Sequence, residues 1–115
     1  MYNKVFLIGR LVKDPDSRVT TSGISLTRFT IAIDRPGKKE NAVTDFINIV
    51  TWRKLAEIAN QFLKKGKLIA VEGALRIDNY DKNGQSRQWI EVVADNFQML
   101  DKISDESRSS EEVFS

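Results

Sequence analysis

Histidine and cysteine are both absent from this sequence, which removes much of the chemistry a small protein could perform. Without them there is no disulfide, no usual zinc site, no cysteine nucleophile and no triad built on an imidazole base. Asp14 with Asp16, and Asp78 with Asp81, are the spacings closest to a paired-carboxylate acid and base. Both pairs fall in segments that read as turns, where aspartate is common for backbone reasons, so catalysis is not expected. Recognition by aromatic and basic side chains remains. In Asp45-Phe46-Ile47-Asn48-Ile49-Val50-Thr51-Trp52 side chains alternate between two faces of a strand. Phe46, Asn48, Val50 and Trp52 share one face, and Ile47, Ile49 and Thr51 share the other. An antiparallel strand that covers a core on one side reads polar on the other. Here both faces carry apolar bulk, so the Phe46 and Trp52 face needs a partner, whether core, subunit or ligand. Tyr80 lies in a polar hairpin, and Trp89 in a later strand where a core or interface role suits it equally.

Charge adds a second signal. The formal net charge of +2 conceals an uneven distribution. Up to Leu100 there are 16 Lys and Arg against 11 Asp and Glu, and from Asp101 onward 2 against 5. A basic body with an acidic tail suggests a polyanion partner for the body and a separate role for the tail. The 115 residues suit one domain with a single core, and the 41% hydrophobic and 30% charged fractions are ordinary for a globular chain. The first apolar run, Val5 to Ile8, is too short for a signal peptide or a membrane span, so a cytoplasmic protein with no membrane partner is expected.

These residues must be positioned by the elements around them. Residues 4–12 predict a first strand, with Gly9 marking a bulge or bend. Lys13-Asp14-Pro15-Asp16 predicts a turn, followed by a short strand near 18–20 and a second turn at Thr21-Ser22-Gly23. Residues 24–34 predict a second long strand, with Ile24, Leu26, Arg28, Thr30 and Ala32 on one face and Ser25, Thr27, Phe29, Ile31 and Ile33 on the other. Arg35-Pro36-Gly37-Lys38-Lys39-Glu40-Asn41 is a loop with a basic tip, leading to the third strand at 45–52. The period then changes: Leu55, Ile58, Ala59, Phe62 and Leu63 follow the spacing of one buried helix face. Gly66 stands as the helix-stopping C′ residue behind Lys64 and Lys65. Residues 67–78 predict a fourth strand, with Gly73 a second bend. The hairpin from Asn79 to Arg87 has Asn83-Gly84 at its tip, and residues 88–100 predict the fifth strand. Residues 102–115 read as a short acidic tail without fixed structure.

Three strands, a helix and two more strands, bent at glycines, is the element order of the OB-fold: a five-stranded Greek-key barrel, all-β but for one helix between strands three and four. Its domain would span residues 1–101. In such barrels the ligand face crosses strands two and three and is flanked by the loops joining strands one to two and four to five. Phe46 and Trp52 would then lie on or beside that face, and Tyr80 on a hairpin that flanks it.

The sequence also resembles the bacterial single-stranded DNA-binding protein family. The resemblance is carried by Asn3-Lys4-Val5-Phe6-Leu7-Ile8-Gly9-Arg10-Leu11, Lys13-Asp14-Pro15, Thr51-Trp52-Arg53-Lys54-Leu55-Ala56-Glu57, Leu63-Lys64-Lys65-Gly66 and Val71-Glu72-Gly73-Ala74-Leu75-Arg76, five blocks in order between Tyr2 and Asp101. It implies base stacking on Phe46, Trp52 and Tyr80 and assembly as a homotetramer; no cofactor or metal is expected. Trp89 is a further stacking candidate, and Arg10, Arg28, Lys38, Lys39, Arg53, Lys54, Arg76 and Arg87 are the candidates for phosphate contact. The departures are specific. The loop after strand two is short and lacks an aromatic, Asp78 and Asn79 stand where basic residues are common, and Asn48 replaces a frequent arginine. The family's long linker is missing, and Glu111-Glu112-Val113-Phe114 only echoes its acidic partner-docking tip. A short accessory or phage-type member fits these differences.

The resemblance implies coating of single strands in replication, recombination or repair. Stacking contributes roughly 1 to 3 kcal/mol per base with little regard to base identity, and phosphate contacts add a salt-dependent part. A primosome-type accessory acting mainly through protein partners and an RNA-binding OB protein are the alternatives.

Overall fold

The computed structural model describes residues 1–37 and 42–101. Six strands and one helix follow in order: β1 (Val5–Leu11), β2 (Asp16–Val19), β3 (Ser25–Asp34), β4 (Thr44–Trp52), α1 (Arg53–Phe62), β5 (Leu68–Lys82) and β6 (Gln85–Met99). They form one sheet in the order β1-β5-β6-β4-β3-β2, and a further β1–β3 pairing closes five of the strands into a ring. β2 adds to the outer edge of β3. This is the expected OB-type barrel, with the helix between the third and fourth barrel strands.

Closure depends on the two glycines read as bends. β1 pairs with β5 from Val5 to Arg10 and with β3 only at Arg10 and Leu11. Gly9 sits where β1 crosses from one partner to the other. A Cβ there would stand 2.6 Å from the Ala32 carbonyl oxygen, too close for any other residue. Gly73 marks a register shift between β5 and β6, and a Cβ on it would collide with the Val93 carbonyl.

The core is built by strand alternation. Phe29 and Ile31 of β3, Ile49 of β4, Ile69 and Val71 of β5, and Val92 and Ala94 of β6 point inward with Leu11 and the helix residues Ala59 and Leu63. Of two buried threonines, Thr27 fastens the helix to the barrel and Thr51 fastens β4 to β3. Thr27 Oγ1 donates to the Ala56 carbonyl at 2.9 Å, and Thr51 Oγ1 donates to the Thr27 carbonyl at 2.8 Å. Each hydroxyl is thereby satisfied despite full burial.

Three local expectations need correction. Phe62 is exposed rather than buried, and the covered helix face is Ala56, Ala59 and Leu63, with Leu55 and Ile58 partly covered. Phe62 is the last helical residue and takes no part in the core cluster. Gly66 is not the C′ residue: the helix ends at Leu63 in extended backbone, and Gly66, with φ of 92°, instead turns the chain so that its N–H reaches the Leu11 carbonyl at 2.9 Å. The hairpin from Asn79 to Arg87 has Asn83-Gly84 at its tip as expected, but its two strands run further toward that tip than residues 78 and 88. The β5–β6 ladder continues to Lys82 and Gln85, and only Asn83-Gly84 turn, both with positive φ, the conformation a two-residue hairpin turn demands. Asp16, Asp78 and Asp81 accordingly sit in strands rather than in turns.

Candidate nucleic-acid interface

The outer surface of the barrel follows from register, because residues directly opposite one another share a face. Leu26 pairs with Trp52, Arg28 with Val50, Thr30 with Asn48 and Ala32 with Phe46 across β3 and β4. Val50 in turn lies beside Val93 of β6, and across β6 and β5 the outward pairs are Val93 with Ala74, Glu91 with Arg76, Trp89 with Asp78 and Arg87 with Tyr80. One continuous exterior therefore carries Phe46 and Trp52 at opposite ends of β4, and Trp89 and Tyr80 on the arm where β5 and β6 outgrow the barrel. Phe46 and Trp52, six residues apart, are about 20 Å from each other along the strand. Tyr80 and Trp89 are diagonal neighbours, near enough for aromatic side chains to interact. Phe46, Tyr80 and Trp89 are exposed, and Trp52 is partly covered.

The centre of this surface is polar. Thr30 Oγ1 donates to Asn48 Oδ1 at 3.0 Å, and the indole N–H of Trp89 donates to Glu91 Oε1 at 2.9 Å. Arg28 Nε stands 3.5 Å from the same carboxylate oxygen, and the Glu91 side chain is 2% exposed. Glu91 was not singled out in the sequence. Its only signal there is an acidic residue two positions from Trp89, and the Arg28 contact joins segments 63 residues apart in the chain.

The expected cations divide into two groups. Arg10 is engaged by the Gly66 carbonyl at 2.9 Å and by Asp101 at 3.2 Å, Arg28 by Glu91, and Arg76 by Asp78 at 3.2 Å. Arg53, Lys54 and Arg87 form no ion pair among the described residues. Arg10 pairs with Ala32, whose other neighbour is Phe46, so it borders the Phe46 end. Arg53 and Lys54 follow Trp52 at the opposite end. There α1 begins without a side-chain cap and with no acid in its first turn, so its positive dipole end adds to the two cations. Arg53 holds φ of 57°, a strained value for a residue with a Cβ, at the abrupt change from strand to helix. Lys38, Lys39, Glu111, Glu112, Val113 and Phe114 lie outside the described residues.

At the base of the β3–β4 hairpin Arg35 clasps Asp45 through two hydrogen bonds of 2.9 and 3.0 Å. These bonds hold the Asp45 carboxyl below its ordinary pKa and raise that of Arg35.

A family model described as the single-strand binding protein family matches residues 2–100. The chain belongs to this family. Members similar to it include single-stranded DNA-binding proteins of Caldanaerobacter subterraneus subsp. tengcongensis, 48% identical over 107 residues, covering 90% of this chain and 71% of the relative, and of Thermotoga maritima, 43% identical over 116 residues, covering 96% and 82%. Single-stranded DNA-binding protein 2 of Listeria monocytogenes is 44% identical over 104 residues, covering 88% and 65%. Among the described residues no helix is long and apolar enough to cross a membrane, and no cluster of three or more acidic residues could hold a metal.

Proposed function

We propose that this protein binds and protects single-stranded DNA with little regard to sequence, in replication, recombination or repair. The observation that carries the reading is the set of four aromatic side chains, Phe46, Trp52, Tyr80 and Trp89, displayed on one exterior of the barrel. A monomeric barrel has no use of its own for exposed rings there, and each ring can take one base face for roughly 1 to 3 kcal/mol. Arg53, Lys54 and Arg87 supply phosphate contacts with no competing ion pair among the described residues. Arg10 and Arg76 share theirs with acids, and Lys38 and Lys39 extend the same role from the hairpin loop. A chromosomal or phage single strand as ligand makes the cytoplasm the place of action. The protein acts by binding, without a catalytic step.

The same reading includes a homo-oligomer, a tetramer. Two features support self-association. The outer edge of β1 from Val5 to Ile8 pairs with no strand among the described residues, and Phe6 and Ile8 on it are exposed. The inward face of the β5–β6 arm continues past the barrel as Ile77 and Ile90, also exposed. The acidic tip Glu111, Glu112, Val113 and Phe114 is assigned to docking of replication or repair proteins.

Competition against labelled oligo-dT tests the proposal. Unlabelled oligo-dT, oligo-dC and a mixed deoxy strand are expected to displace it within about tenfold of one another, and duplex far less well, because base pairing hides the faces that stack. Equal competition by duplex would contradict stacking. Stronger competition by the matching ribo-oligomer would favour the RNA-binding alternative.

A further inference from the structure

Among the described residues Glu91 is the one acidic side chain buried within the outer surface assigned to DNA, and a buried carboxylate facing a polyanion is costly unless it serves a partner. Its partners are both on the face. One oxygen, Oε1, accepts from the indole N–H of Trp89 at 2.9 Å and lies 3.5 Å from Nε of Arg28. Trp89 and Glu91 belong to β6, Arg28 to β3, and β4 runs between them with Val50 at the crossing. Arg28 is half exposed, while Glu91 is 2% exposed beneath it. The cross-strand neighbour of Glu91, Arg76, is turned to Asp78, and that of Arg28 on β2, Asp16, is taken by Arg18. Arg28 and Glu91 are therefore each other's charge partners.

We propose that Glu91 is a positioning residue of the strand-binding face: its buried carboxylate ties Arg28 to Trp89 across β4, fixing the indole by its ring N–H and withholding the guanidinium from phosphate. The inference rests on the single-strand reading and deepens it. A cation neutralised from below condenses little counterion and releases little when a strand arrives. Arg28 then serves as a flat, ion-paired part of the platform. This converts the expectation that Arg28 clamps phosphate into a narrower one: it does so only when Glu91 loses its charge.

The test is a charge-removal cycle read by salt dependence. In Glu91→Gln the amide oxygen can still accept from Trp89, but Arg28 is released. The plot of log binding constant for oligo-dT against log salt should steepen by about 0.7, the value for one further phosphate on a single strand. The variant's advantage should then shrink about fivefold for each tenfold rise in salt. The double variant Glu91→Gln with Arg28→Ala should return to the natural slope. Arg28→Ala alone should change the slope by much less than one full charge. Hydrogen exchange at the Trp89 indole N–H supplies a second readout: it should stay slow in Glu91→Gln and become fast in Glu91→Ala. An unchanged slope in Glu91→Gln, or a loss of 0.7 in Arg28→Ala alone, overturns the proposal while strand binding stands. Failure of the natural chain to bind oligo-dT removes both.

Discussion

Phe46 and Trp52 owe their position to strand alternation, and their energetic roles should separate. Phe46 is exposed at the far end of β4 and makes no part of the core, so Phe46→Ala should leave thermal stability nearly unchanged while weakening oligo-dT binding about 10- to 100-fold, the equivalent of one lost stacking contact. Parallel melting and binding curves check this. Trp52, partly covered beside Leu26, should lose both binding and some stability when truncated. Arg53 offers the converse case. Its positive φ is strained for any side chain with a Cβ, and glycine relieves that strain for about 1 kcal/mol. Arg53→Gly should therefore hold or raise the melting temperature while flattening the salt dependence of binding, since a cation beside Trp52 is lost. Aromatic placement was legible from residue type and the period of two, because both depend only on neighbours in the chain. Glu91 was not, because its meaning comes from Arg28 on a strand two places away in the sheet.

At the scale of elements, glycine at the bends and an ion pair at the hairpin base make separable predictions. Gly9→Ala places a methyl carbon against the Ala32 carbonyl, a backbone atom held by the β1–β3 closure, and should destabilise the barrel by about 1 to 3 kcal/mol or more in a denaturant titration. Asp45 is held below its ordinary pKa chiefly by its hydrogen bonds to Arg35. A carboxylate whose folded pKa is depressed stabilises fully above its unfolded value, near 4, and loses that contribution as the pH falls through the folded value. The stability gap between the natural chain and Asp45→Asn should then be constant near neutrality and close at pH below about 4. Because both partners are well exposed, the gap itself should be small. Strand order, the glycine bends and the position of the helix were readable in the sequence. The helix end was not: Phe62 fits the helical period, yet it is the last helical residue and stays exposed. The Asn83-Gly84 tip of the β5–β6 hairpin was readable, but the strand ends beside it, Lys82 and Gln85, were not, since exposed polar residues carry no apolar alternation to mark a strand.

For the whole molecule, one surface of the barrel is assigned to the strand and another to copies of the same chain. Phe6 and Ile8 are exposed on β1, whose edge from Val5 to Ile8 pairs with no strand among the described residues. Ile8→Asp should place a charge on that edge and lower the mass seen in sedimentation toward a single protomer, with base stacking on the individual barrel retained. Strand binding should be strongly salt-sensitive only in its phosphate contacts, because stacking has little ionic component. That separation allows the central claim to be tested directly. Intrinsic tryptophan fluorescence should be followed while oligo-dT is added at increasing salt, with a duplex of equal length in parallel. Stacking on Trp52 and Trp89 predicts strong, saturable quenching by oligo-dT that is largely retained at high salt and is not reproduced by duplex. Weak quenching that vanishes with salt and is matched by duplex would contradict it, leaving a basic surface without a base-stacking site.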